Sequence, residues 1–425
     1  MTNPHAEPSP LILLPFAALL FSIALAPLIL RHHWERHYHK VCLGLSAITS
    51  LYYIFALNSG TRVLHAGLEY VSFMVAVGAF FVVAGGIHLR VRSQGRPAVN
   101  TLFLLGGALL GNIIGTTGAS MLLIRPWITM NRNHFAGTHI AFFIFTVSNI
   151  GGALLPVGPP LFLGYLKGVP FWWALQRCWL PWAVTLAAVL IVFYVIECVR
   201  FRRIALRRDG ESDAGRAANW HCDGATNFIF ILAILATLIA APAGWRELIM
   251  LSIVVAAYVL TPRQIHRANE FTLTPIKEVA WIFLGVFGTM IPVLDYMEMH
   301  AGKLGLSSDL QFFWGTGVLS ALLDNAPTYL TFLAGALGLH GLSMDNGGQM
   351  AEFLAKHDHH LVAISLGATC FGALTYIGNG PNLLVKAIAD HAKIPTPTFF
   401  GYAFKFAIPV LVPVLVLVSI LFFRN

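Results

Sequence analysis

The sequence predicts an all-α polytopic membrane protein made of two inverted-topology repeats, each with a re-entrant helical hairpin and a broken transmembrane helix. Three observations lead there. Of 425 residues, 57% are apolar and 11% charged, whereas a soluble domain carries about 25% charged residues. Mean hydropathy is +0.72, and the apolar residues fall into runs long enough to span a bilayer. Turn-forming and polar residues then interrupt those runs at matching places in the two halves. This composition excludes a disordered chain and a disulfide-stapled secreted scaffold. The cysteines (Cys42, Cys178, Cys198, Cys222 and Cys370) form no CxxC pair, so no redox or metal device is expected of them. The net charge of +8 comes without a basic stripe interleaved with aromatics. No nucleic-acid partner is expected, and the excess fits Lys and Arg held in cytoplasmic loops.

A helix crossing ~30 Å of hydrocarbon at ~1.5 Å per residue needs about 20 apolar residues, and its backbone must satisfy its own hydrogen bonds. The N-terminal MTNPHAEPSP has no basic region or cleavage site, so the run at 10–30 reads as a retained helix. Spans follow at 41–57 and 68–89, a hairpin at about 101–130, a long broken helix at about 138–168, and a span at 177–199. A polar linker, 200–223, divides the chain. The same order then recurs, with spans at 224–242, 246–261 and 276–299, a hairpin at about 310–339, a broken helix at about 361–392 and a last span at 397–423. The repeats are thus 1–199 and 224–425. With the N-terminus outside and both hairpins returning to their side of entry, 19 of the 27 basic residues lie on the cytoplasmic side, the linker included. Reading either hairpin as one crossing spoils that bias. The expected location is the lipid bilayer of a bacterial inner membrane.

The interruptions carry the chemistry. The hairpins read GNIIGTTGASMLLIRP (111–126) and GVLSALLDNAPTYLTF (317–332). The broken helices read SNIGGALLPVGPPLFLGYL (148–166) and TYIGNGPNLLVKAIAD (375–390). Proline breaks a helix, glycine permits positive φ, and the freed N–H and C=O groups need partners that a bound ion or substrate can supply. Asp324 or Asn325 is placed to cap a new half-helix with Pro327 in its first turn, and Thr116 and Thr117 to do so in the first hairpin. Gly158-Pro159 and Asn379-Gly380-Pro381 open the second half-helices. Half-helix N-termini attract anions and C-termini cations, so four breaks at one depth would form a polar site between the repeats, as in many secondary transporters. Asp324 lies mid-run, where a carboxylate costs about 2.5–3.5 kcal/mol. It reads as a site for exchanging a proton with a cation, with a plain helix cap as the alternative. Arg125 and Lys386 read as membrane-edge anchors, Asp295 and Glu298 as exposed carboxylates, and the histidines of RHHWERHYHK (31–40) and HDHH (357–360) as solvated loops.

These segments, chiefly SNIGGALLPVGPPLFLGYLKGVPFWW (148–173) and SALLDNAPTYLTF (320–332), resemble the ion transporter superfamily, in its branch of citrate transporters and NhaD-like sodium:proton antiporters. The resemblance implies a homodimer, with a static scaffold and a moving transport unit in each protomer. It implies a first binding site at Thr116, Thr117, Ser148, Asn149 and 151–158 with Gly158. The second would use Asp324, Asn325, Thr328, Gly378, Asn379 and Asn382. Sodium would be held among Ser148, Asn149, Asp324, Asn325 and Asn379. Relatives often carry Thr and Asp where Leu155 and Pro159 stand here.

The residue chemistry favours an ion-coupled secondary transporter, a sodium/proton antiporter working by alternating access with Asp324 as the proton-coupling group. Sodium and protons are the coupling ions, and no cofactor is expected. Transport of citrate or another di- or tricarboxylate is the alternative. An intramembrane enzyme is disfavoured, because the chain has no HExxH, GxSxG or placeable nucleophile–base pair.

Overall fold

A computed structural model describes residues 7–92, 95–132, 134–205, 219–303 and 305–424. Among them every regular element is a helix apart from one antiparallel ribbon. Six helices are long and apolar enough to cross a membrane, and the chain is a multi-pass integral membrane protein. In the first half come α1 (Leu14–Ile29), α2 (Arg31–Leu51), α3 (Gly60–Gly85), β1 (His88–Arg92), α4 (Pro97–Asn131), α5 (Gly137–Thr146), α6 (Pro159–Leu166) and α7 (Trp173–Ala205). In the second half come β2 (Asn219–Asp223), α8 (Thr226–Ala240), α9 (Trp245–Leu260), α10 (Arg263–Ala268), α11 (Thr274–His300), α12 (Asp309–Leu322) and α13 (Asn325–Leu339). The chain ends with α14 (Gly347–Lys356), α15 (Asp358–Phe371), α16 (Gly380–His391), α17 (Phe399–Tyr402) and α18 (Ile408–Phe422).

The 35-residue α4 would be about 50 Å long if straight. Instead Gly95 N donates to Met130 O at 3.0 Å, and the Phe103 and Trp127 rings stack 5.3 Å apart. The segment doubles back at Gly115, whose φ of 76° and ψ of 154° are non-helical. A side chain there would be strained and would meet Val157 O at 3.0 Å. So the turn belongs to Gly115, and Thr116 and Thr117 fall inside helical geometry rather than capping it. In the second half α12 ends at Leu322, and Asp324 caps α13 by accepting from Ala326 N at 3.0 Å. Here too the ends return to one place: Asp309 Oδ1 lies 2.6 Å from His360 Nδ1, and the His340 ring is 5.5 Å from that of His360.

Packing follows the same order in both halves. α2 packs on α11 and α9 on α3, α3 and α11 pack on each other, α3 touches α4, α11 touches α13, and α7 meets α18. α3 and α11 therefore form a wall between the lateral helices and the elements that double back or break.

Several expectations change. RHHWERHYHK is the start of α2 and not a loop, with His33 and His37 stacked at 4.4 Å one turn apart. His359 and His360 open α15 and share Asp309, an acidic partner brought from the start of α12. Asp295 is buried: Tyr53 donates to it at 2.7 Å and Arg62 pairs with it. The carboxylate and guanidinium sit 233 residues apart in sequence, which no local pattern reveals. Glu298 accepts from Met344 N at 2.9 Å. Arg125 pairs with Glu270 at 3.0 Å and Lys386 with Asp390 at 2.6 Å, pairings compatible with an anchoring role. Of the linker, 206–218 lies outside the described residues, while 219–223 forms β2 and pairs with β1, a ribbon not anticipated.

Burial, and then the rings of His357, His360 and His359, push the His340 imidazole down to about 4. Hydrogen bonds from His360 and His359 outweigh burial and hold the Asp309 carboxyl below its usual range. The unfolded chain binds more protons than the folded one at both groups. Stability from His340 is intact above the unfolded pKa of about 6.5 and is lost as pH falls toward 4. The apparent thermal midpoint is therefore expected to drop between pH 7 and pH 5, with a shallower slope in His340→Gln. An unchanged slope would refute it. Gly115→Ala is expected to cost about 1–3 kcal/mol, read as a lower midpoint at pH 7.

Candidate functional site

Two unwound stretches cross near each other. The first follows α5 and runs from Val147 to Gly158, with a short 3-10 turn at Ile150–Gly152. The second follows α15, with a matching turn at Gly372–Leu374, and ends at Asn379. Unwinding in each case coincides with the Gly-, Asn- and Pro-rich motif. Pro159 and Pro381 then sit in the first turns of α6 and α16, where a missing N–H costs nothing.

Asparagine side chains lace the stretches together. Asn149 Nδ2 donates to Ile144 O and to Asn382 Oδ1, both at 2.8 Å. Asn382 Nδ2 donates to Gly372 O at 2.8 Å and Thr375 O at 2.9 Å, so it closes its own break. Asn379 Nδ2 reaches across to Ser148 O at 2.8 Å and Asn149 Oδ1 at 3.1 Å. The unwound carbonyls also receive ring donors at corresponding points: Trp182 Nε1 to Ile150 O at 2.7 Å, and Tyr402 Oη to Ala373 O at 2.6 Å.

Each doubled-back segment is tied to its adjacent break. In the first half Ser120 and Ser148 hydroxyls lie 2.8 Å apart, and Leu154 N donates to Asn112 Oδ1 at 2.9 Å. In the second half Thr375 Oγ1 donates to Ala321 O and Ser320 Oγ to Ala368 O, both at 2.7 Å. The Asn325 amide is assigned from its neighbours: with Nδ2 facing Ser320 Oγ at 2.9 Å, Ala368 O at 3.2 Å and Gly378 O, it has acceptors for every donor. Asn149 and Asn325 both abut Gly372, where a Cβ would lie 2.9 Å from Asn149 Oδ1 and collide with the end of the Asn325 amide. All four interruptions thus belong to one hydrogen-bonded cluster.

The structure places the predicted residues as follows. Ser148, Asn149, Asn325, Asn379 and Asn382 are buried within the cluster, and Gly378 accepts from Asn325 at its edge. Thr116 is buried with its methyl against Gly152, and Thr117 is partly exposed. Gly158 caps α6 with open space where a side chain would project. Thr328 is buried and donates to Asp324 O at 2.9 Å, a bond within its own helix. Asp324 is partly exposed, and no Lys, Arg or His pairs with its carboxylate among the described residues. Ser120, Asn112, Ser320 and Thr375 are members that motif reading did not single out. Their signal is a small polar residue inside an apolar run, next to a break.

A family model described as "Putative citrate transport" matches residues 5–423, and the chain belongs to that family. No curated protein matches the chain.

Asn149→Ala removes the donor to Ile144 O and Asn382 Oδ1 and strands buried acceptors. Such loss costs about 1–3 kcal/mol. The expected result is a clear fall in the thermal midpoint in detergent, larger than for Thr117→Ala; equal falls would show that the cross-link carries little.

Proposed function

We propose that this member of the citrate transport family is an ion-coupled secondary transporter carrying citrate or another di- or tricarboxylate by alternating access. The observation that carries the reading is the joining of four helix interruptions into one polar cluster, with half-helix N-termini at Gly158, Asp324 and Asn379. Backbone N–H groups at such ends, with about +0.5 charge each, are suited to carboxylates without a basic side chain. None of the cluster's hydrogen bonds described above uses Lys or Arg. The enzyme reading gains no support from such a cluster.

The paired packing of α2 on α11 and α9 on α3, with a reversal and a break in each half, supports the reading of two inverted repeats, 1–199 and 224–425, with re-entrant hairpins. Interlocked asparagines favour rigid-body movement of the hairpins and breaks together against the α3–α11 wall. In this proposal Thr116, Thr117, Gly158, Thr328, Gly378 and Asn382 line the substrate path. Sodium as the coupling ion would draw its oxygens from Ser148, Asn149, Asp324, Asn325 and Asn379. A homodimer in a bacterial inner membrane, N-terminus outside and linker cytoplasmic, belongs to the same proposal.

The absence of a counter-charge on Asp324 among the described residues favours a second reading, sodium/proton antiport, in which that carboxylate alternates between proton and cation. Proteoliposomes holding a pH-sensitive dye separate the two. The expected outcome is uptake of labelled citrate that rises with an imposed sodium or proton gradient, and loss of that gradient dependence in Asp324→Asn with the protein still folded. Dye dequenching by sodium alone, with no citrate uptake under any gradient, would establish antiport instead. Full gradient-driven uptake in Asp324→Asn would leave Asp324 only its capping role.

A further inference from the structure

Outside the central cluster, five side chains of metal-ligand type converge from three segments. They are Asp309 at the start of α12, His340 at the end of α13, and His357, His359 and His360 around the start of α15. One carboxylate oxygen, Asp309 Oδ1, faces His359 Nδ1 at 2.7 Å and His360 Nδ1 at 2.6 Å. A ligand atom from each of these three residues lies within 4.8 Å of the other two. Asp309 and His360 side chains are 11% and 5% exposed, whereas His359 is 50% exposed, which gives an ion a way in. The His340 and His357 rings stack at 3.4 Å beside this group, and the buried His340 Nε2 has no hydrogen-bond partner.

We infer that Asp309, His359 and His360 form a binding site for a borderline divalent transition-metal ion of the Zn²⁺ class. Imidazole nitrogen with one carboxylate oxygen suits that class, and three protein ligands leave a position for water or an adjacent histidine. Charge balance separates this cluster from the one formed by His134, His139 and Glu197. There Arg200 lies 3.4 Å from the carboxylate and Asn100 donates to it at 3.0 Å, so the acid is already neutralised and bonded. Asp309 has no Lys or Arg partner among the described residues, and the neighbouring Asp358 is taken by Arg177 at 2.8 Å. A bound ion would clip the start of α12 to the start of α15, fixing the two elements that carry the second half of the central cluster. The inference does not depend on what the protein transports.

The test uses the full chain in detergent, free of any polyhistidine tag, with Zn²⁺ titrated calorimetrically and Co²⁺ followed by absorbance. Expected are one tight Zn²⁺ per chain, visible Co²⁺ ligand-field bands, and a thermal midpoint that rises with Zn²⁺ concentration. Asp309→Asn, which keeps size and shape, and the double variant His359→Ala/His360→Gln should weaken binding by at least about tenfold and remove the Zn²⁺-dependent rise. His33→Ala/His37→Ala should change neither. No tight Zn²⁺ in the wild type, or binding that survives the double variant and disappears with His33 and His37, would overturn the assignment. If the double variant elutes as aggregate, Asp309→Asn decides by the same criteria.

Discussion

Backbone groups freed inside a bilayer have no water to turn to, and each unsatisfied one costs several kcal/mol. The rest of this structure depends on how that demand is met where α5 and α15 stop. Asn149 and Asn382 each close carbonyls of their own break and bond each other at 2.8 Å. Asn379 adds a second link across the gap. The amides that close each stretch also join it to the other, and the doubled-back segments bond to the joined pair. Unwound backbone is thus tolerated at the centre because it is saturated from within the protein.

A second polar system lies to one side of that centre. Arg62 pairs with Asp295 and Asp345, and Lys167 with Glu69 at 2.7 Å and Asp345 at 3.3 Å. Arg62 and Glu69 belong to α3 and Asp295 to α11, whereas Lys167 directly follows α6 and Asp345 follows α13. The network therefore joins the wall to elements of the central cluster. Buried pairs of this kind add little net stability, but breaking one partner is costly. Their effect is to define which arrangement of wall and cluster is held.

Legibility from sequence followed locality. Helix ends were readable wherever proline, glycine or a capping acid sits in register. Asp324 caps α13, Gly158-Pro159 opens α6, and Asn379 precedes α16. Positions within the second half were likewise set by hydropathy: α11 coincides with the run read at 276–299, and α17 and α18 together fill the run at 397–423. What was not legible depends on partners distant in the chain. Asp295 near the end of an apolar run looks like an exposed acid until Arg62 is brought to it. HDHH looks like a solvated loop until Asp309 arrives from 50 residues away. The β1–β2 ribbon pairs 88–92 with 219–223; HLRVR and NWHCD each alternate polar and apolar residues, but the partner that makes either a strand lies far away in the chain. The cross-linking asparagines fall between: each was marked by its break, but their contacts with one another were not.

The two halves reverse direction by different chemistry, a neutral glycine in one and a carboxylate cap in the other. An ionised Asp324 would leave the second turn with a negative charge that no neighbouring cation offsets among the described residues, while the first turn has none. An electric field across the bilayer exerts force on charge at about 2.3 kcal/mol per 100 mV for a full traverse. That force would bear on the turn of the second half and not on that of the first.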